Sequence, residues 1–293
     1  MDRARIQVRS THYYEPTYPL VHLPAELRNE RPLPGLDFNE EGQLDILKHC
    51  VWRDELRTIP RQKSGPAAFG FDQSAFGYGD ADMLYNFIRL FRPRRIVEIG
   101  SGQSTLMARL AIEANRRTDP AYTCQHICIE PYEMPWLEGI GVEIIRERVE
   151  LCAPGIFSGL TGNDILFIDS SHVIRPFGDV LKEFHEIVPT VAPGVIVHVH
   201  DIHTPRDYPT RWLREERRLW NEQYLLESFL AFNSSFEILA MVNWLKHNHF
   251  GALSNACGFL DEYPACEPGS FWFRRKPEGT TERPSRPARH PHP

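Results

Sequence analysis

The chain has 293 residues, 42% of them hydrophobic and 25% charged, enough apolar material for one large domain or two small ones and too much for disorder of its bulk. Thirty-three Lys and Arg stand against 39 Asp and Glu, a formal net charge of -6, without the basic footprint of a protein that grips phosphate backbones, so no nucleic-acid partner is expected. No stretch reaches the roughly 20 apolar residues of a bilayer span, and MDRARIQVRS has no apolar h-region behind its charges. The expectation is a cytoplasmic protein with no membrane partner. Cysteines 50, 124, 128, 152, 257 and 266 form no CxxC pair and read as reduced and mostly buried.

In chain order, the first 35 residues are rich in Pro, Tyr and Arg without helical or strand period, and are expected to drape over a core on its cofactor or substrate side. A helix is expected over 40–56, then a Pro-, Gly- and Phe-rich loop over 57–79. Asp80 is expected to cap the helix ADMLYNFIRLF (81–91). From residue 94 short β-branched runs alternate with helical segments: RRIVEIG, QSTLMARLAIEANRR, HICIE, VEIIRE, DILFID, a helix near 176–187, and GVIVHVHDI. That alternation predicts a Rossmann-like α/β fold, a seven-stranded, mostly parallel sheet with helices on both faces. A helix over 209–233 follows, with the charges of 211–222 on a solvated face. FEILAMV (236–242) and SFWFRR (270–275) read as an antiparallel pair at the sheet edge. Residues 276–293, with five prolines and four Lys or Arg, read as a disordered tail. The expected division is 1–79 as an N-terminal extension and lid, 80–275 as the main domain and 276–293 as the tail.

The strongest motif is IVEIGSGQST (96–105), a strand carrying Glu98, glycines 100 and 102, and a helix beginning at once. Such glycines allow positive φ and close approach of a ligand, and the free N–H groups of the new helix favour a nucleotide-type ligand. A dinucleotide fingerprint would want a third glycine where Thr105 stands, so the NAD form of the motif fits poorly. HICIE then ends in Glu130, whose two oxygens suit the paired hydroxyls of a ribose.

The pattern Glu98-x-Gly100-x-Gly102-x-Ser104 resembles motif I of the class I S-adenosylmethionine-dependent methyltransferases. FGYGDADMLYNFIRLFRPRRIVEIGSG, DILFIDSSHV and VIVHVHDIHTPRDYP extend the likeness to the methyltransferase-24 type over about residues 35 to 275. The resemblance implies S-adenosylmethionine as cofactor. It places Glu98 near the cofactor's amino-acid portion, Glu130 on the ribose, Gly100, Gly102, Ser104 and Asp169 in the same pocket, and Tyr78, Gly79 and Asp80 on a loop closing over the methionine end.

DILFIDSSH places Asp169 at the end of one strand with His172 three residues on, and VHVHDIH places His200, Asp201 and His203 at the end of the next. Ligands of open α/β sheets bind outside the carboxyl ends of the strands, so these groups should converge. Carboxylates with imidazoles are ligands for a divalent metal such as Mg, Mn or Fe, and Asp169, Asp201, His200 and His203 are the expected set. Metal-dependent O-methyltransferases resemble this arrangement at Asp169 and Asp201. Catalysis is expected from Asp169, His172 and His200, either by metal activation of an acceptor hydroxyl or by an imidazole general base. His198, deeper in its strand, reads as a core histidine. The leading expectation is therefore O-methylation of a small polar molecule such as a sugar or natural product. A metal-dependent oxygenase-like enzyme on the same scaffold and a non-catalytic cofactor-binding protein stay open, as does a homo-oligomer.

Overall fold

The computed structural model describes residues 17–18, 20–24, 26–132 and 134–277. The expected tail lies almost wholly outside them, and of the expected cover over residues 1–35, residues 1–16, 19 and 25 lie outside them as well. The elements in chain order are α1 (Glu40–His49), α2 (Arg53–Arg57), α3 (Asp80–Phe91), β1 (Arg95–Ile99), α4 (Gln103–Thr118), β2 (Gln125–Ile129), β3 (Glu143–Ile145), α5 (Gly155–Ser158) and β4 (Ile165–Ile168). There follow α6 (Asp179–Lys182), β5 (Ile196–Val199), α7 (Thr210–Arg214), α8 (Glu222–Leu230), β6 (Phe236–Met241), α9 (Val242–Asn248), α10 (Phe250–Ala256) and β7 (Phe271–Arg275).

The strands form one seven-stranded sheet in the order β3-β2-β1-β4-β5-β7-β6. Every pairing from β3 to β5 is parallel, and β7 runs antiparallel between β5 and β6. This is the fold expected from the alternation of apolar runs, with the C-terminal pair inserted so that β7 meets β5. β1, β4 and β5 are buried along nearly their whole length, as parallel strands covered on both faces must be. The reversal of strand order beside β1 opens a crevice where its neighbours' connections leave for opposite faces, the usual ligand position in such sheets. No helix among the described residues is long and apolar enough to cross a membrane, and all six cysteines are free thiols, five of them buried.

Three local expectations differ from the structure. The helix over 40–56 is two helices broken at residues 50–52. Leu47 and Leu56, both buried, would stand about 180° apart on one continuous 3.6-residue helix, and the break lets both turn inward. The segment over 209–233 is likewise broken into α7 and α8. In the link between them Arg218 lies 4.3 Å from the ring centroids of both Trp212 and Trp220, an attraction that a straight helix with its charges in water would forgo. Asp80 does not cap α3: Gly79 holds the cap position with φ +85, and its N–H donates to Asp82 instead. Asp80 is thereby free to accept the backbone N–H groups of Gly269 and Ser270, at 2.9 and 2.7 Å.

Candidate active site

Backbone hydrogen bonds continue the parallel pairing one residue beyond the strands. Gly100 N–H donates to Ile129, Glu130 N–H to Ile145, Asp169 N–H to Ile99 and His200 N–H to Ile168, all at 2.9–3.1 Å. The residues that follow β1, β2, β4 and β5 are thus aligned along one rim. Gly100 is what lets the rim close up. Its φ is +76, and a Cβ there would stand 1.9 Å from the Asp169 carbonyl oxygen, so no other residue permits this approach of the β1–α4 turn to the end of β4.

In front of the turn lies a cavity of about 620 Å3, lined among others by Gly100, Glu130, Tyr132, Val149, Asp169 and Phe177. That is the size of a small-molecule or cofactor site. The Glu130 carboxylate accepts the backbone N–H groups of Ser101 and Tyr132, at 3.2 and 3.0 Å, which fixes it at the cavity wall. A Cβ on Gly102 would meet only Met134 Cε, at 3.9 Å, and Gln103 Oε1 is buried with no hydrogen-bond partner among the described residues. The start of α4 therefore keeps open space and an unmet polar atom.

Glu98 is placed differently from the expectation of cofactor contact. It is 1% exposed and sits behind the glycine turn, accepting hydrogen bonds from Ser104 Oγ at 2.5 Å and Thr105 Oγ1 at 2.8 Å, with His126 Nε2 at 2.9 Å. These bonds tie the first turn of α4 to β1 and β2 and occupy both oxygens. Ser104 is likewise turned inward. Tyr78 stacks on Tyr263 with ring centroids 4.2 Å apart and donates to Asp72, and Gly79 packs against Pro268. Neither lines the cavity.

At the ends of β4 and β5, Asp169, His200 and Asp201 each offer a ligand atom within 4.8 Å of the others. His200 Nδ1 is 3.5 Å from Asp169 Oδ1 and 3.7 Å from Asp201 Oδ1, and His172 Nε2 is 3.4 Å from Asp169 Oδ1 and 3.6 Å from Asp201 Oδ2. These separations exceed the usual 2.7–3.2 Å of a hydrogen bond. Behind the imidazoles stand two further acids, Asp80 Oδ2 at 3.6 Å from His200 Nε2 and Glu222 Oε2 at 2.9 Å from His172 Nδ1. His172 and Asp201 both have positive φ, +60 and +56, a conformation that non-glycine residues seldom adopt outside constrained sites.

Burial works to lower the His172 pKa, but the nearby carboxylates of Asp169 and Glu222 outweigh that and lift it to about 10. His200 is raised in the same way, against burial, by Asp201 and Asp169. Asp169 is held well below the usual carboxylate range, burial notwithstanding, by His200 and His172, whereas burial prevails at Asp201 and raises it.

His203 is not brought to this cluster. It is 1% exposed, packed 5.3 Å from the Trp212 ring, and neither ring nitrogen finds a hydrogen-bond partner among the described residues. Burial depresses its pKa well below the usual histidine value. His198 is a core residue, stacked 3.9 Å from Phe167 and paired with Ser270 Oγ at 3.0 Å.

Glu222 and Glu183 are the acids that the sequence did not single out, and both are wholly buried. Glu222 stands in the charged run read as a solvated face. No local pattern separates it from its neighbours. Its burial arises because the Asn221 and Glu222 N–H groups both donate to the His172 carbonyl, at 3.0 and 3.3 Å, and Asn221 Oδ1 accepts Ile174 N–H, so the start of α8 is docked on the loop after β4.

Residues 97–202 match a family model described as a methyltransferase domain, of the methyltransferase-24 type. No curated protein matches the chain. Among solved structures, the plantazolicin methyltransferase BpumL in complex with a triazolic desmethylPZN analog and SAH is similar at 13% identity, covering 81% of this chain and 99% of that one, with a TM-score of 0.40. A putative methyltransferase from Thermobifida fusca YX is similar at 12% identity, covering 84% and 98%, with a TM-score of 0.39. Strand order and the glycine turn give the chain the class I methyltransferase fold, and its residues 97–202 are similar to methyltransferase domains of the methyltransferase-24 type.

Proposed function

We propose that the protein transfers the methyl group of S-adenosylmethionine to a hydroxyl of a small polar acceptor, such as a sugar or a natural product, with a divalent metal at the rim assisting. The observation that carries the reading is the single cavity running from Gly100 and Glu130 to Asp169. It joins a wall suited to a ribose to Asp169, the rim carboxylate beside which an acceptor oxygen would be held. The unmet Gln103 Oε1 and the open space before Gly102 fit a bound cofactor, and the 3.4–3.7 Å gaps of the rim fit a cation better than hydrogen bonds.

In this reading Glu130 accepts the ribose hydroxyls and the Gly100–Gly102 turn lets the cofactor approach the backbone. S-adenosylmethionine, when bound, supplies an electrophilic sulfonium methyl, and a divalent metal lowers the pKa of an acceptor hydroxyl. Asp169, His200 and Asp201 would hold that metal. Asp169, which lines the cavity as well, sets the direction from which an acceptor oxygen meets the methyl group, and the rim balances the charge that develops on it. Glu98 and Ser104 serve the cofactor by fixing the first turn of α4. In the N-terminal extension, Arg28 and Arg31 are tied to Glu267 and Glu227 at 2.7 and 2.5 Å.

Calorimetry of the intact protein with S-adenosylhomocysteine should give one binding site, and a hydroxyl-acceptor panel with S-adenosylmethionine should give methyl transfer. Absence of cofactor binding refutes the reading. Binding without transfer to any acceptor supports a non-catalytic cofactor-binding protein instead.

A further inference from the structure

Glu183 is a wholly buried acid to which the chemistry above gives no task. It stands where the helix begun by α6 widens into one π-type turn, Glu183–Ile187, a backbone form found mostly as single turns and frequently at functional sites. Its one hydrogen bond among the described residues joins Oε2 to Ser170 Oγ, at 3.1 Å, and Oε1 has no partner. Ser170 in turn lines the cavity, one residue beyond Asp169. Glu183 thus reaches the cavity through a single hydroxyl.

No cationic side chain is paired with Glu183 among the described residues. Acids face it from two elements, Glu222 of α8 and Asp179 of α6, and His172, which opposes them, already has its Nδ1 bonded to Glu222 at 2.9 Å. An unpaired carboxylate out of water is so costly that such a group keeps its proton instead. Burial first, then Glu222 and Asp179, hold the Glu183 pKa well above the usual carboxyl range. On Oε1 the retained proton would be a donor with no acceptor, whereas on Oε2 it meets Ser170 Oγ; an unmet carbonyl oxygen is the lesser loss. A hydroxyl has one proton and two lone pairs. Ser170 therefore keeps its own proton for another partner when Glu183 is neutral, and would have to donate it to Glu183 if that acid were ionised.

We propose that Glu183 is an un-ionised carboxylic acid that donates to Ser170 Oγ and so turns the Ser170 O–H into the cavity, where it donates to an acceptor atom of the bound ligand. The proposal rests on the cofactor reading above and deepens it. Ser170 is the group that touches the ligand, and Glu183 is a positioning residue acting through it.

The test uses the intact protein, with S-adenosylhomocysteine as the probe of the cavity. Glu183 is neutral in the fold but titrates at the ordinary 4.5 when unfolded, so unfolding above that pH releases its proton, and wild type loses stability with rising pH relative to Glu183→Gln. In urea unfolding between about pH 5.5 and 6.5, the wild-type unfolding constant should rise about tenfold more than that of the Gln variant. Parallel pH dependence in the two overturns the proposal. By calorimetry, Ser170→Ala should weaken S-adenosylhomocysteine about 3- to 10-fold, the worth of one hydrogen bond. The same substitution should cost as much beside Glu183→Gln, whose amide still donates to Ser170, but less than about 2-fold beside Glu183→Leu, which fills the space without a donor. Glu183→Met serves in place of a Leu variant that fails to fold. A Ser170→Ala effect that is absent, or equal in all three backgrounds, overturns the positioning role. If the intact protein binds no S-adenosylhomocysteine, the proposed function falls and the Ser170 contact with it, while the unfolding comparison still decides the state of Glu183.

Discussion

Among the described residues, two groups of side chains have the composition of a metal site, Glu98 with His126 and Cys128 under the glycine turn, and Asp169 with His200 and Asp201 at the rim. Their geometry differs. Around Glu98 the hydrogen bonds are 2.5, 2.8 and 2.9 Å, every oxygen is occupied, and the group is sealed. At the rim the closest approaches between imidazole and carboxylate are 3.4–3.7 Å, and Asp169 opens onto the cavity. A buried acid whose bonds are complete is a fastening, and an acid near a cavity with its neighbours held just out of bonding range is where we propose a ligand. Residue type and proximity do not separate the two cases; satisfaction does.

The sharpest way to break this contrast is to remove each acid and ask what is lost. Glu98→Ala leaves Ser104, Thr105 and His126 without their acceptor in a sealed interior, so a stability loss of about 3–5 kcal/mol is expected in urea unfolding. Asp201→Asn should do the opposite. Its stability should stay near wild type while turnover falls about 10²- to 10³-fold, the usual cost of losing one charge-stabilising contact, with S-adenosylhomocysteine affinity nearly unchanged by calorimetry. An active but unfolding-prone Asp201→Asn, or a stable but inactive Glu98→Ala, would invert the assignment.

Glu130 tests an intermediate case, an acid with two backbone bonds that still faces the cavity. Glu130→Ala should weaken S-adenosylhomocysteine by about 1.5–3 kcal/mol, the worth of hydrogen bonds to a charged group, with a smaller change in unfolding midpoint. Glu267 gives the smallest effect. Burial would raise its pKa, but bonds from His247, Lys246 and Asn243 lower it to about 2 from 4.5. Because the folded value lies below the unfolded one, its stabilisation is complete above pH 4.5 and lost as pH falls toward 2. With 34% of the side chain exposed, solvent screening limits the contribution to about 1 kcal/mol. Urea unfolding at about pH 6 and about pH 3 should show a shallower acid loss in Glu267→Gln than in wild type.

Much of this was written in local pattern. Apolar runs of four to six residues ending in Gly100, Glu130, Asp169 and His200 announce strands, and parallel pairing alone carries the next residue of each to a common rim, so the cavity's Gly100, Glu130 and Asp169 could be named from the sequence. The side of a strand end on which an acid falls is another matter. Glu98 belongs to the same motif as Gly100, yet it faces α4 because strand alternation turns it away from the crevice, and Ser104 and Thr105 complete its bonding there.

Glu222 shows the limit most clearly. In sequence it is one of several charges between Arg211 and Glu227, with nothing to mark it. Only the docking of α8 on the loop after β4 buries it and places it 2.9 Å from His172, across 50 residues of chain. His203 is the converse, a histidine adjacent to the rim in sequence that packing against Trp212 withdraws from it. The sequence by itself determined the sheet and the glycine turn, because hydrophobic period and backbone freedom are properties of neighbouring residues. Which charges are fastenings, which are ligands and which are merely solvated was decided by tertiary structure, because desolvation and hydrogen-bond satisfaction depend on what the rest of the chain brings alongside.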